Sequence, residues 1–233
     1  MSLSPKHRRQ AEIIYLILGG LFITSLVTSN LIFQKFFSWS PFGIYTFSLS
    51  VGIIAYPVTF LVTDVISEIY GRKMANRVVL AGVFASAFAL LIVTVASRVE
   101  ATEWSPLSDE EFDKTFSYTF IAVSASLAAY LLAQFLDVQI FHFWKRLTKG
   151  RHLWFRNNAS TFSSQLVDTL VVIGLLVSFG VIERELFLTL VINGFLFKVL
   201  FAMIDTPIAY LLVFGIRRYF GLKGVGAELD LSS

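Results

Sequence analysis

The sequence predicts an all-α integral membrane protein with six transmembrane helices and both termini cytoplasmic. Three observations carry that reading. The 233 residues are 56% hydrophobic and only 15% charged, with a mean hydropathy of +0.72, whereas a soluble domain carries about a quarter charged residues. Six segments hold the roughly 20 apolar residues that a helix rising about 1.5 Å per residue needs to cross a hydrocarbon core of about 30 Å. The Lys and Arg residues gather on one side of those segments, as cytoplasmic loops require.

The first segment, Ala11 to Phe33, follows Lys6, Arg8 and Arg9. Its apolar run is too long for the core of a signal peptide and no small-residue cleavage site follows, so it is expected to remain as a helix. The second, Phe42 to Ile66, contains Pro57, which lacks a backbone donor and is expected to kink it. The third runs from Val78 to Ser97. The loop from Arg98 to Thr115 carries Glu100, Glu103, Asp109, Glu110, Glu111 and Asp113; it reads as a solvated loop on the non-cytoplasmic side. The fourth, fifth and sixth segments are Phe116 to Phe143, Asn158 to Ile182 and Leu186 to Ile216. The fourth and sixth exceed what a span needs and should tilt, kink or protrude.

With the N-terminus inside, 14 of the 19 Lys and Arg residues fall on the cytoplasmic side. The outer loops keep Lys35, Arg98, Lys114 and Arg184, and Lys198 lies within the sixth segment. The net charge of +3 is thus a consequence of topology, and nucleic-acid binding has no support. All four Trp residues, Trp39, Trp104, Trp144 and Trp154, stand in or beside loops, where amphipathic rings favour the membrane interface. No soluble domain or long linker interrupts the chain, so residues 1–233 read as one transmembrane domain whose function is built inside the bundle.

A charge deep in a membrane costs about 2.5 to 3.5 kcal/mol on insertion scales, so each such group needs a partner, water or a ligand. Asp64 and Glu68 are four residues apart and share a helical face near the cytoplasmic end; pairing with Arg72 or Lys73 is their structural alternative. In the fifth segment Thr161, Gln165 and Asp168 follow an i, i+4, i+7 spacing. Counted from Asn158, Asp168 lies about 15 Å into the bilayer, near its middle. Helix-to-helix hydrogen bonding accounts for Ser, Thr and Gln but not for a midplane carboxylate, which points to a ligand or ion site. In the sixth segment Lys198 and Asp205 share a face over two turns, with Pro207 expected to break the helix beside Asp205, as in transporter sites. Neutralisation of Lys198 by Asp168 or Asp205 is the plain alternative. Gln134 and Asp137 sit toward the cytoplasmic end of the fourth segment.

Little supports an enzyme. The chain has no Cys and only three His residues, which leaves no thiol nucleophile and no metal cluster. No phosphate-binding Gly-rich loop and no G-x-S-x-G motif occurs. Intramembrane Asp residues could in principle build an aspartic hydrolase, but the flanking glycine pattern is missing around Asp64, Asp168 and Asp205. No cofactor and no metal is called for.

Several motifs together resemble the queuosine-precursor transporter family, also called vitamin-uptake-transporter-like. They are Tyr56-Pro57 with the run from Thr63-Asp64 through Glu68-Ile69-Tyr70-Gly71-Arg72-Lys73; the stripe from Arg156 to Thr161 with Gln165 and Asp168-Thr169; and Lys198 with Thr206-Pro207 and Tyr210. Asn30 with Lys35 after the first segment also fits. The resemblance implies import of 7-deazaguanine precursors of queuosine across the bacterial inner membrane. Together with the polar and charged groups singled out above, it makes Asn30, Tyr56, Asp64, Glu68, Gln134, Thr161, Gln165, Asp168, Lys198, Asp205 and Tyr210 the candidate substrate contacts. The chemistry agrees. A guanine-like ring presents an N–H and an exocyclic amine side by side, which a carboxylate can accept, while Gln or Asn completes another edge. Tyr56 and Tyr210 are rings on which a base could stack. The partners implied are a nucleobase-like small molecule and the lipid bilayer, and six helices can build a site alone or as a homodimer. Without an ATP motif, energy comes from an ion gradient, metabolic trapping or a separate ATPase. A substrate-capturing subunit of a larger importer is the alternative within transport.

Overall fold

The computed structural model describes residues 4–147, 153–222, 227–229 and 231. Within its helices, the side chains at 131, 134, 135, 137, 138, 141, 142, 144–146 and 153–161 lie outside the description. In chain order the elements are α1 (Pro5–Ile32), β1 (Phe36–Trp39), β2 (Phe47–Ser50), α2 (Tyr56–Tyr70), α3 (Arg72–Ala96), α4 (Asp109–Phe116), α5 (Thr119–Leu147), α6 (Leu153–Ser178) and α7 (Phe187–Phe220).

Four stretches are long and apolar enough to cross a membrane among the described residues: Pro5–Ile32, Val51–Tyr70, Arg72–Ala96 and Arg184–Phe220. Helices α5 and α6, of 29 and 26 residues, overlap the fourth and fifth expected segments but are not among these four. Many large apolar side chains on the helices face outward, among them Leu16, Phe84, Phe88, Leu188, Leu211 and Phe214. Water would not tolerate so many; lipid does.

The second expected helix is the main correction. Its first part, residues 42–54, is not α-helical: β1 and β2 form an antiparallel hairpin, with Phe36 opposite Ser50 and Trp39 opposite Phe47, followed by a short 3-10 turn at Val51–Ile54. The physical reason is visible in the chain. Phe47-Ser48-Leu49-Ser50 alternates with period two, and Phe47 and Leu49 are the buried members, as a strand with one packed face requires. Pro41 and Gly43 form the turn, where Phe42 and Gly43 both take positive φ, 57° and 70°. Pro57 consequently stands in the first turn of α2, where its missing N–H breaks no hydrogen bond, and it kinks nothing. Pro207 is likewise tolerated inside an unbroken α7, with the Thr206 hydroxyl donating to the Ala202 carbonyl at 2.7 Å.

The acidic loop also contains local order. Ser108 caps α4 in a reciprocal box with Glu111. Hydrogen bonds from the Ser108 backbone N–H and hydroxyl hold the Glu111 carboxyl below the usual carboxylate range. A lowered folded-state value means that this contribution is present above the unfolded-state pKa and is lost as pH falls through the folded one.

The chain divides into two compact units. Unit 1 comprises residues 1–32, 52–92 and 200–233, and unit 2 residues 33–51 and 93–199. In unit 1 a core of Phe22, Val62, Val65, Ile66, Ile69, Tyr70 and Val78 is joined by Phe220 and Leu229. Helices α1 and α3 meet along small residues. A Cβ on Gly19 would lie 3.5 Å from Val78, and one on Gly82 would lie 2.7 Å from Phe22 and 3.0 Å from Leu26. The Tyr15 hydroxyl donates to the Met74 carbonyl at 3.1 Å and that of Tyr70 to the Ala11 carbonyl at 2.8 Å. Gly71, at φ 84°, turns the chain from α2 into α3. The Glu228 carboxylate occupies the place a Cβ would take on Gly71, and the Leu229 N–H donates to the Ile69 carbonyl at 2.7 Å. Unit 2 is built on the packing of α5 against α6, with Phe33, Ala122, Leu176, Ile182 and Leu190 at its centre.

Candidate functional site

In unit 2, α6 and α7 approach closely because Gly194 has no side chain: a Cβ there would lie 3.3 Å from Thr169 Cγ2. The approach brings Lys198 onto α6. Its Nζ lies 2.6 Å from Asp168 Oδ2 and 3.0 Å from Thr169 Oγ1. Thr169 in turn donates to the Gln165 carbonyl at 2.9 Å. Asp168 is 6% exposed, so the ion pair is a buried one in which each charge compensates the other. Of the two neutralising acids the sequence allows, Lys198 thus takes Asp168. One turn before Asp168, Gln165 Oε1 is buried without a hydrogen-bond partner. An unpaired buried acceptor is costly, and beside an ion pair it marks a place where a donor from a ligand would be stabilised. The side chains of Gln134 and Thr161 lie outside the described residues.

The hairpin lies against the same stretch of α7. The Tyr45 hydroxyl donates to Asn193 Oδ1 at 2.6 Å, and Trp39 meets Phe197 edge-on at 6.0 Å between ring centres. Asn193 is 2% exposed. Sequence reasoning misses Tyr45, because a helix starting at Phe42 would place it in a span; the period-two alternation of residues 47–50 is the signal that exposes the hairpin.

In unit 1, Glu68 pairs with Arg217 of α7 at 3.2 Å, rather than with Arg72 or Lys73. Asp64, on the same face of α2, is exposed and lies within electrostatic reach of Asp205. Asp205 Oδ2 and Asn30 Nδ2 are each buried without a hydrogen-bond partner. Tyr56 packs edge-on against Phe60 at 4.9 Å. Tyr210 is 73% exposed and is not gathered with these groups.

Apolar helices of spanning length, together with a buried ion pair and buried unpartnered polar atoms, define a multi-pass membrane protein. Residues 50–212 match the family described as "Putative vitamin uptake transporter", and the chain belongs to that family, one of transporters and not of enzymes. The match includes every candidate residue expected from the sequence except Asn30, and Tyr45 also precedes it. Among curated proteins, the chain is 29% identical to the "Probable queuosine precursor transporter" of Bacillus subtilis (strain 168), over 72% of both chains. It is 27% identical to the "Queuosine precursor transporter" of Escherichia coli (strain K12), over 73% of this chain and 71% of the relative. A third relative, the "Probable queuosine precursor transporter" of Haemophilus influenzae, is 28% identical over 54% of this chain and 51% of its own length. No solved structure matches the chain.

Proposed function

We propose that this protein imports a 7-deazaguanine precursor of queuosine across the bacterial inner membrane by a secondary mechanism, through six spanning helices with both termini cytoplasmic. The names of its relatives support the substrate. The observation that carries the site is the buried, unpartnered Gln165 Oε1 beside the Asp168–Lys198 pair. The base edge offers, side by side, a carbonyl acceptor, a ring N–H and an amine. A carboxylate accepts from the two donors, an ammonium donates to the carbonyl, and the Gln165 oxygen accepts a further N–H. An acid–base pair is therefore complementary to that edge in a way that neither charge alone is.

Asp64 and Asp205, two carboxylates in spanning helices, are the proposed carriers of a coupling proton, since proton relays in transporters use such groups. Purified protein in liposomes is expected to accumulate labelled precursor under an inward proton gradient and to lose the accumulation on adding a protonophore. Uptake that appears only with a separate energising module would instead make the chain a substrate-capturing subunit.

The topology has its own test, helped by a chain that contains no Cys. Single cysteines replacing Ser2 or Ser233 are expected to resist an impermeant thiol reagent added to intact cells, while Ser108→Cys is expected to react. Reaction of either terminus from outside would reverse the assignment.

A further inference from the structure

We propose that the β1–β2 hairpin is a gate over the Asp168–Lys198 pair, latched by the hydrogen bond from the Tyr45 hydroxyl to Asn193 Oδ1. The proposal rests on that pair being the substrate site and adds how access to it is controlled.

Position comes first. The Tyr45 and Trp39 contacts of the hairpin with α7 fall on one turn, at Asn193 and Phe197, and Lys198 follows Phe197 directly in the chain. Helical side chains lean toward the N-terminus of their own helix, so Lys198 reaches back toward the turn that the hairpin covers. Thr169, which accepts from Lys198, is the residue against which Gly194 packs. The pair thus lies at the same level of α7 as the hairpin's contacts, on the neighbouring, α6-facing side of that helix, and in this conformation both of its side chains are about nine-tenths buried, at 10% and 9% exposure.

The hairpin is also built to move. Two strands of four residues are marginal by themselves, so this one is held by what it touches. Its base is tied by the Val51 N–H donating to the Lys35 carbonyl at 2.7 Å and by the Ser50 hydroxyl donating to the Phe33 carbonyl. Its far end is closed on itself by Ser40 Oγ and Thr46 Oγ1, 2.7 Å apart. Trp39, Tyr45 and Phe47 pack on one another, at 5.7 Å for Trp39–Phe47 and 4.8 Å for Tyr45–Phe47, which makes the aromatic face a single piece. Rocking that piece about its base separates the Tyr45–Asn193 bond and the Trp39–Phe197 contact while leaving the bonds within the hairpin intact.

The test uses Thr169→Cys as the sole thiol of the full-length, detergent-solubilised protein, which exposes both membrane faces to a small thiol reagent. Removing a latch worth one neutral hydrogen bond should raise the labelling rate about fivefold, for Tyr45→Phe and for Asn193→Ala alike. The double variant should label no faster than either single one, because both remove the same bond. Unchanged rates in the single variants, or increases that multiply in the double, would overturn the latch. A second measurement reads transport. In a chain carrying Tyr45→Cys and Asn193→Cys, joining the two thiols with a reducible bifunctional reagent should abolish precursor uptake, and a reductant should restore it. Uptake that continues in the tethered protein would overturn the gate. Wild-type protein that takes up no precursor would instead defeat the substrate reading, and the labelling rates, which require no substrate, would still decide the latch.

Discussion

Lys198→Met is expected to cost about 3 to 5 kcal/mol of stability, because it leaves the Asp168 carboxylate buried without its cation. Asp168→Asn should do comparable harm by stranding Lys198, whose Nζ is 2.6 Å from Asp168 Oδ2. Combining the two should recover most of the loss, since no buried charge remains unpaired and the two positions are directly coupled. Thermal unfolding and detergent-extracted yield of the two single variants and the double would show this pattern. Precursor binding then separates structure from recognition. The stable double variant should bind the base roughly thirtyfold to a thousandfold more weakly, as loss of a charge-assisted hydrogen bond together with the donor the new amide turns toward the ring's own donors costs about 2 to 4 kcal/mol. Gln165→Ala should weaken binding less, since only a neutral acceptor is removed. A double variant that folds and binds like the wild type would assign the pair to internal electrostatics alone.

The second large effect is expected at the contact between α1 and α3. Gly82→Val should destabilise the protein by about 2 to 3 kcal/mol, because even its Cβ would fall 2.7 Å from the Phe22 ring and 3.0 Å from Leu26, and an overpacked interior must shift side chains or backbone. Gly20→Val is the matched control. Gly20 lies on an exposed part of α1 with nothing within 4 Å of a Cβ, so the same change should leave the melting temperature nearly unmoved. Equal losses at both positions would mean that helix propensity, and not the α1–α3 contact, dominates.

How much of this could be read from the chain depends on the range of the interaction. Long apolar runs announce α1, α3 and α7, because length and hydropathy are local properties. The Asp168–Lys198 pair is legible as an alternative, since two buried opposite charges have few other outcomes; which of Asp168 and Asp205 takes Lys198 depends on helix rotation, which composition does not encode. Glu68 shows the limit more sharply. Its nearest cations in sequence are Arg72 and Lys73, yet its partner is Arg217, 149 positions away. The hairpin is missed for a different reason. Residues 42–66 are apolar enough for a span, and a hydropathy window averages over the alternation at Phe47 to Ser50 that distinguishes strand from helix. Tyr45–Asn193 follows only once that hairpin exists.

The composition of unit 1 also bears on how the protein is made. Its core draws on α1, α2 and the first part of α3, and is completed by Phe220 and Leu229 near the other end of the chain. A ribosome adding about 5 to 20 residues per second needs roughly 5 to 20 seconds to synthesise the intervening residues 93–199. Throughout that interval the early helices must wait in the bilayer without Phe220 and Leu229, which complete their core. The small-residue contact of α1 with α3 is complete before the wait begins, and can hold the half-built unit in register until α7 arrives. Variants such as Gly82→Val should therefore show their harm most strongly during biogenesis, as degradation of newly made chains, with protein that has already matured less affected.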